Sequence, residues 1–179
     1  MFPTPETILS VVALLSWRYS RGATLVALLS WPALAPALQA VAWHYGVVPL
    51  PYIPGFLAFR EAPNLLAAYA HLPPDEQPDV LVVDGHGLAH PRRLGIAAQM
   101  GVLLGRPALG VGKSRLTGLY DEFGPAPGEA SPLLARRGSS EVIGEVLRTR
   151  AGVLPVFVSP GHRCTRHRQR RWYVAVCVA

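Results

Sequence analysis

The sequence predicts an α/β fold with a mixed central sheet flanked by helices. Short apolar runs of strand length alternate with longer stretches of helical spacing, a pattern typical of strands and helices packed in layers. The chain has 179 residues and is 50% hydrophobic, which is enough for one domain with a sizeable core. We therefore expect residues 1–179 to form a single domain.

The N-terminal part contains three apolar runs that we interpret as consecutive strands of an antiparallel meander. These runs cover residues 7–17, 22–31 and 37–48. The uncharged stretch 23–43 approaches the length of a membrane span, but Pro32 and Pro36 interrupt it. We therefore expect no membrane association.

A helix is predicted over residues 57–71, and a strand is predicted over residues 79–83. Pro63 interrupts the helical pattern, so we expect the regular helix to begin there, with Ala62 held near an extended conformation. After Asp79, residues 80–83 of this strand form a short, continuous apolar run. Such a run is typical of a strand that is buried on both faces of its sheet.

The C-terminal half predicts a second helix, a further buried strand, a long loop and a late hairpin. Helical spacing extends over residues 91–104, and residues 106–112 have the composition of a buried strand. Residues 117–139 are rich in Gly and Pro, which favours a long loop. Residues 141–149 and 153–159 then predict the two strands of a hairpin.

The charge of the chain gives weak evidence for an anionic partner. The formal net charge is +6, and Lys113 is the single lysine among 17 basic residues. The many arginines indicate either phosphate contacts or biased codon usage, and the sequence leaves both open. Cys164 and Cys177 fit neither a zinc pattern nor a disulfide framework, so we expect a reducing, cytoplasmic compartment.

Polar residues that could carry chemistry fall at predicted strand ends. Asp84 ends the strand at 79–83, where α/β sheets collect their ligands, although Asp-Gly is also an ordinary turn. Lys113 follows the next buried strand and could meet a phosphate, but the spacing of its glycines excludes a Walker A motif. His162 follows the last strand. Together these positions predict one polar cleft.

The remaining candidates have a structural alternative beside the functional one. His86 and His90 have the spacing of zinc ligands on a helix, but the glycines around them favour a loop, and no third zinc ligand is obvious. Glu61 stands on an otherwise apolar helix face. The alternative for Glu61 is an exposed helix position.

Four segments carry a more specific signal. They are PYIPGFLAFRE (51–61), DVLVVDGHGLAHPRRLGIAA (79–98), GVGKSRL (110–116) and GHR (161–163). In this order they resemble the endonuclease V family, the deoxyinosine 3′ endonucleases, over about residues 45–163. The resemblance implies an RNase H-like fold. It also implies cleavage of a phosphodiester bond on the 3′ side of a deaminated purine, with Mg²⁺ or Mn²⁺ as cofactor.

The resemblance implies a role for each matching residue. Asp84 and Glu61 would be catalytic carboxylates that bind the metal ion. His90 and Lys113 would be catalytic residues near the scissile phosphate. The implied partner is nucleic acid, inosine-containing DNA first, with RNA left open because contacts to a 2′-hydroxyl leave no readable signature. We expect the chain to act as a monomer.

The resemblance also implies a set of substrate-binding residues. A wedge that separates the strands beside the lesion would consist of Tyr52, Ile53 and Pro54. An aromatic side chain suits a wedge because it can stack where a base has been displaced. Gly85 and Gly87 would let the flipped hypoxanthine approach the backbone. His162 matches the family's late histidine near the metal site.

The chain departs from the family pattern in its first strand and in its tail. The family carries an Asp in the first strand, and that position falls here on or next to Leu14; no acidic residue lies between Glu6 and Glu61. We therefore expect weakened metal binding and cleavage. The alternative function is a catalytically inactive module that binds inosine or damaged nucleic acid. The atypical tail, residues 164–179, is either a basic nucleic-acid contact or an altered segment.

Overall fold

A computed structural model describes residues 11–18, 24–27, 42–44, 46 and 50–165, with 11–18 and 24–27 described as backbone. Its centre is a sheet of seven strands within these residues. The strands are β1 (Val11–Arg18), β2 (Thr24–Ala27), β3 (Val80–Asp84), β4 (Ala108–Gly112), β5 (Ala130–Leu134), β6 (Val142–Leu147) and β7 (Val156–Pro160). Their order across the sheet is β2-β1-β3-β4-β7-β6-β5.

The sheet is mixed, as the sequence predicts. Strands β1, β3 and β4 run parallel at its centre, and the other neighbouring pairs are antiparallel. Asp84 pairs with Val111, so the last residues of β3 and β4 reach the same edge of the sheet. Leu14 pairs with Val83, which places the next β1 residue, Leu15, at the level of Asp84. This parallel centre positions the candidate site.

The first helix, α1 (Leu57–Tyr69), runs through Pro63 without a break. The expectations that the regular helix begins at Pro63 and that Ala62 is extended are therefore wrong. The missing N–H of Pro63, which is itself exposed, weakens one turn of the helix, but burial of the neighbouring helix face offsets this cost. Ala62 and Leu65 pack in one cluster with Leu81 and Val83 of β3. Tertiary packing here overrides a local rule.

The second helix, α2 (Ile96–Leu104), begins later than the predicted residue 91. Arg93 has φ +56°, in the left-handed region, and Gly95 is extended at the N-cap. Neither conformation can belong to a right-handed helix, so residues 91–95 form turns instead. The helix ends at Gly105, whose φ of +64° makes it a left-handed C-cap. No helix among the described residues has the length and apolar character needed to cross a membrane.

The predicted loop at 117–139 contains a strand, so that prediction is wrong over β5. This strand lies at the edge of the sheet, where Pro132 is tolerated because an edge strand has one unpaired side. Ser131 and Leu133 of β5 are buried. The hairpin of β6 and β7 is confirmed as an antiparallel pair.

The predicted N-terminal meander is confirmed for its first two strands, β1 and β2, which pair antiparallel. Of the third predicted strand, residues 37–48, only 42–44 and 46 are described, and none of these is in a strand. The rest of that range lies outside the described residues. So do residues 166–179 of the tail and most of the uncharged stretch 23–43.

Candidate functional site at the strand ends

A cleft of about 380 Å³ lies beyond the C-terminal ends of β3 and β4. Three parts of the chain form its walls: the turn before α1, the loop between β3 and α2, and the loop after β4. The lining residues that matter for chemistry are Tyr52, Asp84, Gly85, His86, His90 and Lys113. This is the position at which parallel α/β sheets place their ligands.

Asp84 and Lys113 meet at the mouth of the cleft. The Lys113 ammonium donates to Asp84 Oδ2 at 2.6 Å, a charge-assisted hydrogen bond. The Lys113 side chain is 79% exposed and that of Asp84 is 24% exposed. An exposed pair of this kind contributes little to stability, so the lysine is free to exchange Asp84 for another anion. The pairing follows from the parallel register, because both residues lie at or just beyond strand ends.

Glu61 lies in a different setting. Its side chain is only 6% exposed, and Oε1 accepts from Arg60 Nε at 2.8 Å. Arg60 also donates to the carbonyl of Leu50 at 2.9 Å, which ties α1 to the segment before it. The alternative of an exposed helix position is therefore wrong. Leu57 and Ala58, one turn earlier on the same helix face, line the cleft, so Glu61 lies one turn behind its wall.

The fit of a divalent metal ion is partial. Asp84 offers an oxygen ligand in the cleft, whereas Glu61 is buried beside a guanidinium. Among the described residues, no group of three or more His, Cys, Asp or Glu side chains converges to hold a metal. In β1 the residues level with Val83 and Asp84 are Leu14 and Leu15, which carry no donor. A hard cation takes several oxygen ligands, so this set is incomplete.

His90 joins two walls of the cleft through both of its ring nitrogens. Nδ1 accepts from the backbone N–H of Arg92 at 3.1 Å, which requires the proton on Nε2. Nε2 then donates to the carbonyl of Gly55, also at 3.1 Å. Burial lowers the pKa of His90, and the nearby Arg92 charge acts in the same direction. His90 therefore fixes the turn before α1 against the loop after β3 as a neutral imidazole.

His86 contributes a polar edge that the sequence pattern did not assign. Its ring packs on Gly112, where a Cβ would come within 2.5 Å of two ring atoms. Burial lowers the pKa of His86, opposed in part by a hydrogen bond with the Ser114 backbone and by the Asp84 charge. Its Nε2 is buried and has no hydrogen-bond partner among the described residues. The sequence feature that could have predicted this contact is Gly112, since a ring can pack this closely only on a residue without a Cβ.

The two glycines of the loop are required by the packing of the protein itself. Gly85 has φ +150°, and a Cβ there would come within 2.5 Å of Ile96 Cγ2. A Cβ on Gly87 would overlap the backbone carbonyl of Pro160. Gly85 lines the cleft, whereas Gly87 is not among its lining residues. The Gly87 N–H donates to Ser159 Oγ at 2.8 Å, a buried contact that sequence reasoning missed.

The predicted wedge is exposed at the rim of the cleft. Tyr52 is 56% exposed and lines the cleft, and its neighbours Ile53 and Pro54 are also exposed. Gly55 has φ +82°, and the N–H of Phe56 donates to the Ile53 carbonyl at 3.0 Å, which closes a tight turn. The turn therefore projects these side chains outward.

His162 is not brought into the cleft. Its carbonyl accepts from the N–H of Ala108 at 2.8 Å, at the first residue of β4. A Cβ on Gly101 of α2 would come within 2.5 Å of the His162 Cβ. Residue 162 thus lies near the start of β4, whereas Asp84 and Lys113 lie beyond the ends of β3 and β4.

The chain is similar to proteins of one family throughout. The sequence profile of Endonuclease V matches residues 9–179. Endonuclease V of Alkalilimnicola ehrlichii is 45% identical over 152 residues, which cover 85% of this chain. The chain spans 64% of the length of that relative, and about half to two thirds of the length of the other curated relatives that it matches.

Solved structures agree in fold. The crystal structure of Endonuclease V from Streptomyces avermitilis has a TM-score of 0.85 at 39% identity, covering 98% of this chain and 75% of that one. Endonuclease V of Ciona intestinalis, solved with a 23mer DNA containing an inosine, has a TM-score of 0.79 at 23% identity. That match covers 96% of this chain and 78% of that one. The expected RNase H-like α/β fold is thereby confirmed.

Proposed function

The chain belongs to the Endonuclease V family, and from this we propose that it recognises inosine in nucleic acid and hydrolyses the phosphodiester bond on its 3′ side. The observation that carries the proposal is the cleft at the strand ends. It gathers one accessible carboxylate, Asp84, one exposed cation, Lys113, and an exposed aromatic residue, Tyr52. A nuclease that acts beside a displaced base needs a site for phosphate and a surface for that base. Lys113 and Tyr52 support these two roles in the proposal.

Lys113 binds the phosphate in this proposal. Its ammonium already donates to an anionic oxygen at 2.6 Å, and its side chain is largely exposed. A phosphate oxygen entering the cleft replaces the Asp84 carboxylate as its partner, because each supplies a negatively charged acceptor. The exchange frees the carboxylate oxygens of Asp84 for a cation.

Asp84 and Glu61 are proposed to hold Mg²⁺ or Mn²⁺. When bound, the ion supplies charge neutralisation at the phosphate and an activated water. Asp84 is accessible, but Glu61 is buried against Arg60, and the β1 residues level with Val83 and Asp84, Leu14 and Leu15, carry no oxygen ligand. We therefore propose that metal affinity and cleavage are weak in this chain, while binding of the lesion is retained.

Recognition is assigned to the rim and the loop. Tyr52, with Ile53 and Pro54, enters the stack beside the inosine, since an exposed aromatic ring can replace a displaced base. Gly85 is buried but lines the cleft, and we assign its backbone to contact with the flipped base. His90 is a positioning residue in this proposal, because both of its ring nitrogens are engaged with backbone groups.

A second candidate is a module that binds inosine without cutting. The leucines at positions 14 and 15, level with the end of β3, favour it because they leave the metal without its third carboxylate. Metal titration separates the two functions, since only the enzyme requires Mg²⁺ for turnover. Mg²⁺-dependent product from inosine strands supports the enzyme, and tight binding without product supports the module.

Recognition itself is tested by the affinity of the chain for matched oligonucleotides that differ only in inosine or adenosine. We expect tighter binding to the inosine strand, measured by fluorescence anisotropy, in DNA and in RNA separately. The difference should shrink in Tyr52→Ala. Equal affinity for both strands, in DNA and RNA alike, would overturn the proposed function.

A further inference from the structure

An exposed aromatic surface lies just outside the cleft. Phe56 and Phe59, one turn apart at the start of α1, have ring centroids 5.9 Å apart and an interplanar angle of 39°. The guanidinium of Arg92 lies 4.5 Å from the centroid of the Phe56 ring, a cation–π contact. Phe59 is 56% exposed although it is a large apolar side chain. We call Phe56, Phe59 and Arg92 the aromatic platform.

The platform is continuous with the cleft. Phe56 lies between Gly55 and Leu57, both of which line the cleft, and Arg92 follows His90, which lines it as well. No side chain of the platform itself faces the cleft. A nucleic-acid strand that leaves the cleft on this side would meet the platform with the nucleotide next to the bound one.

The platform comes from two segments of the chain, one with Phe56 and Phe59 and one with Arg92, and the neutral His90 ring connects them. That ring accepts from the Arg92 N–H and donates to the Gly55 carbonyl, so it links the residue before Phe56 to Arg92 directly. The guanidinium covers one ring, Phe56, while Phe59 keeps more than half of its surface in solvent. Phe59 is thus the more exposed ring of the pair, and the Arg92 cation lies over its neighbour Phe56.

We infer that the aromatic platform binds one unpaired nucleotide next to the inosine, whose base stacks on Phe59 and whose phosphate contacts Arg92. This inference rests on the proposed function. Stacking on an aromatic ring is open to every base, and Arg offers a planar fork that suits phosphate. The platform would add affinity for the strand without adding sequence preference.

Charge favours nucleic acid as the occupant. Residues 50–60 and 85–95, which supply the platform and its surroundings, contain no Asp or Glu. Arg92 and Arg93 are the charged residues of the second segment, and Arg93 is engaged with Glu141 at 2.7 Å. A surface that combines an exposed aromatic ring with a cation, and whose neighbouring acid Glu141 is paired with Arg93, is complementary to a stacked base and its phosphate.

The test measures the dissociation constant of inosine-containing single-stranded DNA for four variants of the full chain. In Phe59→Ala we expect affinity about tenfold weaker, with an unchanged slope of affinity against salt, because stacking carries no ion release. In Arg92→Ala we expect weaker binding and a salt slope reduced by about one, because one phosphate contact is lost. Phe59→Tyr should restore the affinity.

Leu103→Ala is the matched control, since Leu103 is 58% exposed and lies at the far end of α2. Its affinity should equal that of the unchanged chain. A strand with 2-aminopurine on either side of the inosine gives a second readout. Fluorescence of the probe should rise in Phe59→Ala at one of the two positions, and return in Phe59→Tyr.

The outcomes are distinct. If the unchanged chain shows no preference for inosine, the proposed function fails. If the preference is present but Phe59→Ala alters neither affinity nor probe fluorescence, this inference alone fails. It also fails if Phe59→Ala leaves DNA affinity unchanged and instead reduces binding to vesicles of anionic lipid.

Discussion

Two regions face the same cleft but are built in opposite ways. The glycine loop, residues 84–95, is tied to the protein on every side: the Gly95 N–H donates to the Gly87 carbonyl, and the Ala97 N–H to the His86 carbonyl. The outward segment, residues 50–59, packs Leu57 and Ala58 against the core and projects its other large apolar side chains into solvent. Packing therefore dictates the residues of the loop, whereas the fold does not require the exposed side chains of the segment.

The largest effect on stability is expected at Gly87. A Cβ there overlaps a backbone carbonyl, that of Pro160, which cannot rotate away. Gly87→Ala should therefore lower the free energy of unfolding by about 3 kcal/mol, measured by urea denaturation. Gly105→Ala is the control, since its Cβ meets open space and the cost is about 1 kcal/mol for a left-handed residue. Equal losses in both variants would show that the loop is not tightly packed.

A smaller loss is expected at Ser159, whose Oγ accepts the buried N–H of Gly87. Ser159→Ala leaves that N–H without a partner, at a cost of about 2 kcal/mol in unfolding free energy. Ser139→Ala is the matched control, because Ser139 Oγ also accepts a backbone N–H, that of Glu141, but in an exposed position where water replaces it. If Ser159→Ala were as stable as this control, the hydrogen bond from Gly87 to Ser159 would not stabilise the glycine loop.

Acid should loosen the connection between the two regions. Since the pKa of His90 is lowered in the folded protein, the unfolded chain binds the proton more tightly. The stability from neutral His90 is thus fully present above pH of about 6.5 and is lost as the pH falls through its lower folded pKa. The pKa of His86 is lowered as well, so His86 contributes to the same pH dependence. The measurement therefore compares the slope of unfolding free energy against pH in the unchanged chain with the slope in His90→Asn. Identical pH profiles in the two proteins would argue against the connection that His90 makes between the Gly55 carbonyl and the Arg92 N–H.

The smallest effect on stability is expected at the rim. Tyr52→Ala removes an exposed ring, so the unfolding free energy should change by less than about 0.5 kcal/mol. The preference for inosine, in contrast, should fall. A Tyr52→Ala protein that is clearly destabilised would show that the outward segment is part of the fold after all.

The sequence predicted the edge of the sheet well, because strand ends can be read from apolar runs and their polar neighbours. Asp84 and Lys113 fall at or beyond two parallel strand ends, and they meet there. It could not predict that Glu61 is buried with Arg60, since an acid beside a base on a helix is as often solvated. The sequence also could not distinguish the two glycines of the loop. Gly87 is required because a Cβ there would overlap the Pro160 carbonyl, whereas Gly85 lines the cleft.

Two wrong predictions of secondary structure share one physical cause. Pro63 predicts a late start of the regular helix, and the Gly- and Pro-rich composition of residues 117–139 predicts a loop. Pro63 nevertheless lies inside α1, and Pro132 lies inside β5. Local rules state what a proline costs in isolation. The buried face of α1 and the unpaired side of an edge strand offset that cost, and both depend on contacts distant in sequence.

The proposed loss of a carboxylate from β1 is tested most directly by introducing one there. Leu14→Asp and Leu15→Asp are prepared separately, because these residues lie level with Val83 and Asp84, and each is assayed for Mg²⁺-dependent nicking of inosine-containing DNA. Anisotropy confirms that each variant still binds the strand. We predict weak or absent nicking by the unchanged chain, robust nicking by one variant, and its loss when Asp84→Asn is added. Robust nicking by the unchanged chain would contradict the prediction, as would no gain in either variant while inosine binding persists.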